Sequence, residues 1–138
     1  MRGDGFGPSR WIALAPSPDG KQLATARVDG PEHVIEIQQL VGGARREVYR
    51  VRNTQALHEL KWTPDGRYLI FSMRNADQDG LWRIPVTGGA PQPMNITAPV
   101  IGKLSLHPDG RHIAFVAAQG GSQVMALENF LPKANSSK

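Results

Sequence analysis

The 138-residue chain is 40% hydrophobic with 15 Gly and 11 Pro, the composition of a turn-rich globular protein and not of a disordered one. It has no cysteine, which excludes disulfides, thiolate catalysis and cysteine-ligated zinc and leaves the redox compartment open. With 16 Lys and Arg against 12 Asp and Glu the net charge is +4, a mild attraction to anionic partners without the dense stripe of a nucleic-acid footprint.

Residues 1–9 are Gly-rich and polar and read as a flexible lead. They contain no apolar run of the kind that makes a signal peptide, and no later run reaches the length of a membrane span. From there the same series of events occurs three times, over about 10–54, 55–99 and 100–131, ahead of a polar tail at 132–138. The first unit predicts strands at Trp11–Ala15, Gln22–Arg27, Val34–Leu40 and Glu47–Val51. The second predicts Leu57–Trp62, Tyr68–Met73, Leu81–Val86 and Gln92–Thr97; its Tyr68–Phe71 run does not alternate, the pattern of a strand covered on both sides. The third gives Lys103–Leu106, His112–Ala117 and Gln123–Leu127, with no room for a fourth strand. No segment shows a capped 3.6-residue period, so almost no helix is expected beyond a short turn at Leu127–Phe130.

Each unit is marked by Pro-Asp-Gly and a basic residue: Pro18-Asp19-Gly20-Lys21, Pro64-Asp65-Gly66-Arg67 and Pro108-Asp109-Gly110-Arg111, with starts 46 and 44 residues apart. Pro presets φ, Asp bonds nearby backbone and Gly takes the left-handed conformation, so the tripeptide is explained by turn geometry. Three Asp at one edge make a weak cation set, because each copy brings a single carboxylate and adjacent units hold them apart. His33, His58, His107 and His112 show no spacing with metal-site meaning. Trp11, Trp62 and Trp82, with Phe71 and Phe115, are assigned to packing between units in preference to ligand stacking. Gly42-Gly43 and Gly88-Gly89 repeat the period and read as hairpin turns, lacking the Lys and strand-to-helix context of a phosphate loop.

Arg45, Arg46, Arg50 and Arg52, interrupted by Glu47, Val48, Tyr49 and Val51, fit the charged side of an edge strand better than a nucleic-acid site. No Gly-x-Ser-x-Gly elbow is present, and the acidic residues fall mostly in predicted turns, where solvation gives no reason for a raised pKa. No catalytic, cofactor or metal residue is therefore assigned, and an enzyme is not expected. Short strands at roughly 10-residue spacing, four to a unit, predict an all-β fold of antiparallel four-stranded blades, a β-propeller.

The run Trp62-Thr63-Pro64-Asp65-Gly66-Arg67-Tyr68-Leu69-Ile70-Phe71-Ser72, continued by Leu81 through Pro91, resembles the WD40-like (PD40) repeat of the TolB-type β-propellers. Leu106–Phe115 carries the pattern over to the third unit and Ala15–Ala24 to the first; His107 stands where Ser or Thr is common. The resemblance implies a bacterial propeller scaffold and three blades in this chain. Such repeats occur in periplasmic TolB proteins and in propellers attached to hydrolases and protein kinases. The expected function is a noncatalytic protein or peptide interaction module; the alternatives are the gate or sensor propeller of a multidomain hydrolase or kinase, and a structural repeat fragment without its own activity. Met125–Pro132 resembles the ending of some bacterial members, which implies the closing part of a longer propeller or a truncated gene product. Family rings commonly hold six or seven blades, so the expected partner is a second copy, giving six blades, or missing blades from elsewhere, with residues near Phe6 to Ile12 completing the partner's last blade. No cofactor is implied. The compartment is periplasmic if the chain belongs to a longer TolB-like precursor and cytoplasmic otherwise.

Overall fold

A computed structural model describes residues 10–52, 55, 57–118 and 122–128, with side chains described through residue 117. Eleven strands occur among the described residues and no helix. They are β1 (Trp11–Pro16), β2 (Gln22–Asp29), β3 (Glu32–Gln39), β4 (Arg45–Arg52), β5 (Leu57–Trp62), β6 (Tyr68–Asn75), β7 (Gln78–Pro85), β8 (Gln92–Ala98), β9 (Val100–Leu106), β10 (His112–Ala118) and β11 (Ser122–Glu128). They form antiparallel meanders in sheets of four, four and three: β1-β2-β3-β4, β5-β6-β7-β8 and β9-β10-β11.

Two expectations are corrected. The short turn at Leu127–Phe130 does not begin at Leu127: Leu127 and Glu128 continue β11, opposite Ile113 and His112, and Asn129 and Phe130 lie outside the described residues. Trp11 pairs with Arg27, and the Arg10 carbonyl accepts the Val28 amide at 2.8 Å. Residues 10–12 thus serve their own first sheet and are not spare for a partner's last one; the rest of the lead, like the tail at 132–138, lies outside the described residues.

The sheets stack through their faces, and β6 makes the principle plain. Successive side chains of a strand point to opposite faces. Leu69, Phe71 and Met73 enter a cluster with Ala24, Ala26, Ile35 and Ile37 of the first sheet. Ile70, between them, enters a second cluster with Ile101, Leu104, Ile113 and Phe115 of the third. Leu69, Ile70 and Phe71 are all fully buried, which is why this run lacks polar alternation. Phe71 also meets Tyr49 across the first junction, ring centroids 5.9 Å apart. The strands β1, β5 and β9 lie next to one another through the stack, and the pairing of each is shifted by an irregularity of the β-bulge kind, which bends a strand and increases its twist.

The distal strand β4 carries the arginine group predicted for an edge. Arg50 is held by Asp29 at 3.0 Å and by Glu32 and Glu47 at 2.8 Å, a network on the sheet's own surface. Val41, 91% exposed, sits on the β3–β4 turn beside Gly42 and Gly43, both with positive φ.

Candidate functional site

The three Pro-Asp-Gly turns connect β1 to β2, β5 to β6 and β9 to β10, so the stacking brings them to one edge of the molecule. Each closes with the Gly amide donating to the carbonyl three residues back: Gly20 to Ser17 at 2.9 Å, Gly66 to Thr63 at 2.8 Å and Gly110 to His107 at 3.0 Å. The glycines have φ of +73°, +74° and +72°. Each Asp accepts the amide two residues on, from Lys21, Arg67 and Arg111, at 2.9, 3.0 and 2.8 Å. Proline at the first central position, Asp at the second and left-handed Gly after it make the same type I turn three times.

In the first two turns the residue before Pro is a hydroxyl. Ser17 and Thr63 each donate to the Asp Oδ1 at 2.6 Å, and the same hydroxyl oxygens accept the amides of Gln22 and Tyr68 at 3.0 and 3.1 Å. The Ser17 hydroxyl, with the Lys21 amide behind it, holds the Asp19 carboxyl below its ordinary range.

The third turn departs from this. His107 replaces the hydroxyl and receives the Asp109 amide on Nδ1 at 3.0 Å, while His112 Nδ1 lies 2.6 Å from Asp109 Oδ2. The two imidazoles meet edge to face, centroids 5.8 Å apart. Asp109, bound by the Arg111 amide and with both histidines beside it, has its pKa lowered to about 2. Spacing along the chain gave these histidines no common role. They converge because the hairpin pairs their backbones, the His107 amide donating to the His112 carbonyl at 2.9 Å.

Clefts open between neighbouring turns. One of about 220 Å³ lies between Pro18, Asp19 and Gln22 on one side and Trp62, Pro64 and Asp65 on the other. Another, about 370 Å³, separates Pro64 and Asp65 from Pro108, Asp109 and Gly110. A third, about 310 Å³, runs along the adjacent strand ends and is lined by Leu14, Pro16, Lys61, Trp62, Ser105 and Leu106. The carboxylates of Asp19, Asp65 and Asp109 line this edge at the solvent boundary. The arrangement offers shallow grooves with mixed polar and apolar lining.

Among the aromatic residues assigned to packing, Trp62 is 7% exposed and its indole nitrogen donates to the Ala15 carbonyl of the first sheet at 2.6 Å. Trp82 is half-buried against the first cluster; Phe71 and Phe115 sit inside the first and second clusters. Trp11 differs: it is 49% exposed and joins neither cluster, and among the described residues no sheet precedes the first to cover it.

Two junction residues escaped sequence reasoning. His33 Nδ1 accepts the Leu57 amide at 3.2 Å between the first and second sheets, and Asp79 Oδ2 accepts the Ile101 amide at 2.8 Å between the second and third. Asp79, 1% exposed, is also paired with Arg74 at 2.9 Å, so it stands apart from the acidic residues expected to fall mostly in solvated turns. The signal was available: each lies 15 residues after the Pro of its unit.

Antiparallel sheets of this kind, stacked face to face with one strand of each aligned through the stack, define a β-propeller fold. The solved structures agree on that class. This chain superimposes on the TolB-assigned protein from Agrobacterium tumefaciens with a TM-score of 0.75 and 19% identity, over 91% of this chain and 47% of that one. The β-propeller domain of the trilobed protease from Pyrococcus furiosus, which has an open velcro topology, gives 0.67 and 18%, over 88% and 39%. An oligogalacturonate lyase gives 0.66 and 18%, over 91% and 36%. The chain thus spans less than half the length of these structures. No family model matches the sequence, and no curated protein matches it.

Proposed function

We propose that the chain is a noncatalytic protein-interaction module built of TolB-type WD40-like repeats, in which two copies associate to complete a six-bladed ring and the turn-side clefts take an extended peptide segment. One observation carries this reading. Seven and four residues before the Pro of the second and third units stand Leu57 and Leu60, then Ile101 and Leu104, and all four are 2–3% exposed because a preceding sheet covers them. The same positions of the first unit are Trp11 and Leu14, 49% and 61% exposed. The first sheet therefore presents, at matched places, apolar side chains that its two successors bury against a neighbour.

The face has a polar middle. Thr25, Arg27 and Glu36 occupy the repeat positions of Phe71, Met73 and Trp82, and Arg27 pairs with Glu36 at 3.2 Å. A surface of two apolar anchors beside an ion pair has the make-up of a non-obligate interface, so the association is reversible. A twofold arrangement closes both open faces at once, the third sheet of each copy packing on the first of the other.

The internal junctions supply a specific test. His33 bonds the Leu57 amide and Asp79 the Ile101 amide; in the proposed ring the third equivalent is Gln123 of one copy opposite Trp11 of the other. The chain is free of cysteine, so a Trp11→Cys protein, which keeps the Leu14 anchor, and a Gln123→Cys protein, which keeps both anchors, can be mixed and oxidised without background. A mixed disulfide dimer is expected in excess of that formed with a Leu40→Cys control, whose position is 52% exposed and bonds Lys21 at the opposite end of β2 from Arg27, the partner of Trp11. Equal yields from both pairings would refute the arrangement.

A further inference from the structure

We infer that the third turn is a binding site for a divalent transition-metal ion, with His107, Asp109 and His112 as its ligands. One ligand atom from each of the three side chains lies within 4.8 Å of the others. Zinc binds imidazole nitrogen and carboxylate oxygen at about 2.0–2.2 Å, so tetrahedral ligand atoms stand about 3.3 Å apart. Asp109 Oδ2 lies 2.6 Å from His112 Nδ1 and Asp109 Oδ1 lies 3.2 Å from His107 Nδ1, so an ion takes its place by side-chain rotations that bring one ligand atom of each residue to that spacing.

The scaffold survives such rotations. The Gly110 amide to His107 carbonyl bond, the His107 amide to His112 carbonyl bond and the Arg111 amide to Asp109 Oδ1 bond use backbone groups and one carboxylate oxygen, so none of these three bonds involves Asp109 Oδ2 or an imidazole nitrogen. On binding, the ion takes the place of the hydrogen shared by Asp109 and His112. Neutral His112 then carries its proton on Nε2, and a protonated His112 releases one proton to solvent. His107 gives up the Asp109 amide, which water can satisfy at this exposed turn. Three protein ligands leave at least one position for water or a group from a bound partner.

The donor set selects the class of ion. Two imidazoles favour zinc, copper or nickel, whereas calcium and magnesium require oxygen ligands. The other two turns set the contrast, since Ser17 with Gln22 and Thr63 with Tyr68 offer no second ligand of this kind beside their Asp. The paired histidines are a feature of one turn and not of the repeat.

The test is calorimetric titration of the 138-residue chain with Zn²⁺ in chelator-free buffer, alongside Ca²⁺ and Mg²⁺. The comparison protein is His107→Thr/His112→Gln, which restores residue types that the other two turns carry and so keeps the turn's own bonding. One Zn²⁺ per chain is expected, with no measurable Ca²⁺ or Mg²⁺ binding. Losing even a group that merely supports a metal ligand weakens affinity about 10- to 100-fold, so each single variant should lose at least that and the double variant all binding at this site. Far-ultraviolet circular dichroism that is unchanged in the double variant separates loss of ligands from loss of fold. If it is changed, His112→Gln alone provides the comparison. Absence of zinc binding in the parent chain, zinc binding unaltered in the variants, or calcium binding equal to zinc would each overturn the assignment.

Discussion

A backbone amide buried between two sheets must find an acceptor, and one left without costs about 1–3 kcal/mol. The chain meets this need with an imidazole at one junction and a carboxylate at the next, at the same repeat position. Asp79 does so as a buried group paired with Arg74, whereas His33 does so as a neutral ring with its Nδ1 lone pair toward Leu57. Burial, followed by the electrostatic influence of Arg10 and then of His58, holds His33 below its ordinary value of 6.5. A pKa lowered on folding means that the unfolded chain binds the proton first. The contribution of His33 is therefore fully present above pH 6.5 and is lost as pH falls through the lowered folded value. Urea midpoints measured between pH 7.5 and 5 should fall more steeply for the parent chain than for His33→Gln, whose amide oxygen can accept the Leu57 amide without titrating. Parallel profiles would show that His33 is not the titrating acceptor.

The strands and the first-order packing were legible in the sequence because turn chemistry and alternation agree there. Gly66 makes the point: its φ of +74° is what Pro-Asp-Gly requires, and nothing lies within 4 Å of a Cβ placed on it. Gly66→Ala should consequently cost about 1–2 kcal/mol through backbone strain alone, read as a lowered denaturation midpoint with an unchanged m-value. No loss would mean the turn relaxes out of the left-handed conformation. Less legible were the starts of β3 and β7, at Glu32 and Gln78, ahead of the predicted Val34 and Leu81. The β6–β7 ladder closes from Asn75 opposite Gln78 over Ala76-Asp77, with Ala76 at φ 59°, a residue that gives no warning of a left-handed turn. Polar Gln78 and Asp79 also hid the strand, and the role of Asp79 lies across a junction that a single strand's pattern does not encode. The His107 and His112 convergence was hidden for a related reason, being a cross-strand relation read as a linear spacing.

At the scale of the whole molecule, the three stacked sheets of the described residues bury two junctions, and the outer face of the first sheet carries Trp11 and Leu14 where its successors bury apolar residues. Repeat proteins whose ends face solvent usually cap them with polar residues. Here the polar substitution reaches Thr25, Arg27 and Glu36 but stops short of the strand that adjoins the next sheet's inner strand. That division is the basis of the reversible pairing proposed above, and the most direct measurement of it is solution mass by light scattering over a concentration series, for the parent chain and for Trp11→Ser/Leu14→Ser. The parent mass should rise with concentration from the 15.0 kDa of one chain and level off at twice that value, while the variant stays at one chain's mass. A parent chain that remains at 15.0 kDa throughout, or a variant that dimerises equally well, would contradict the account.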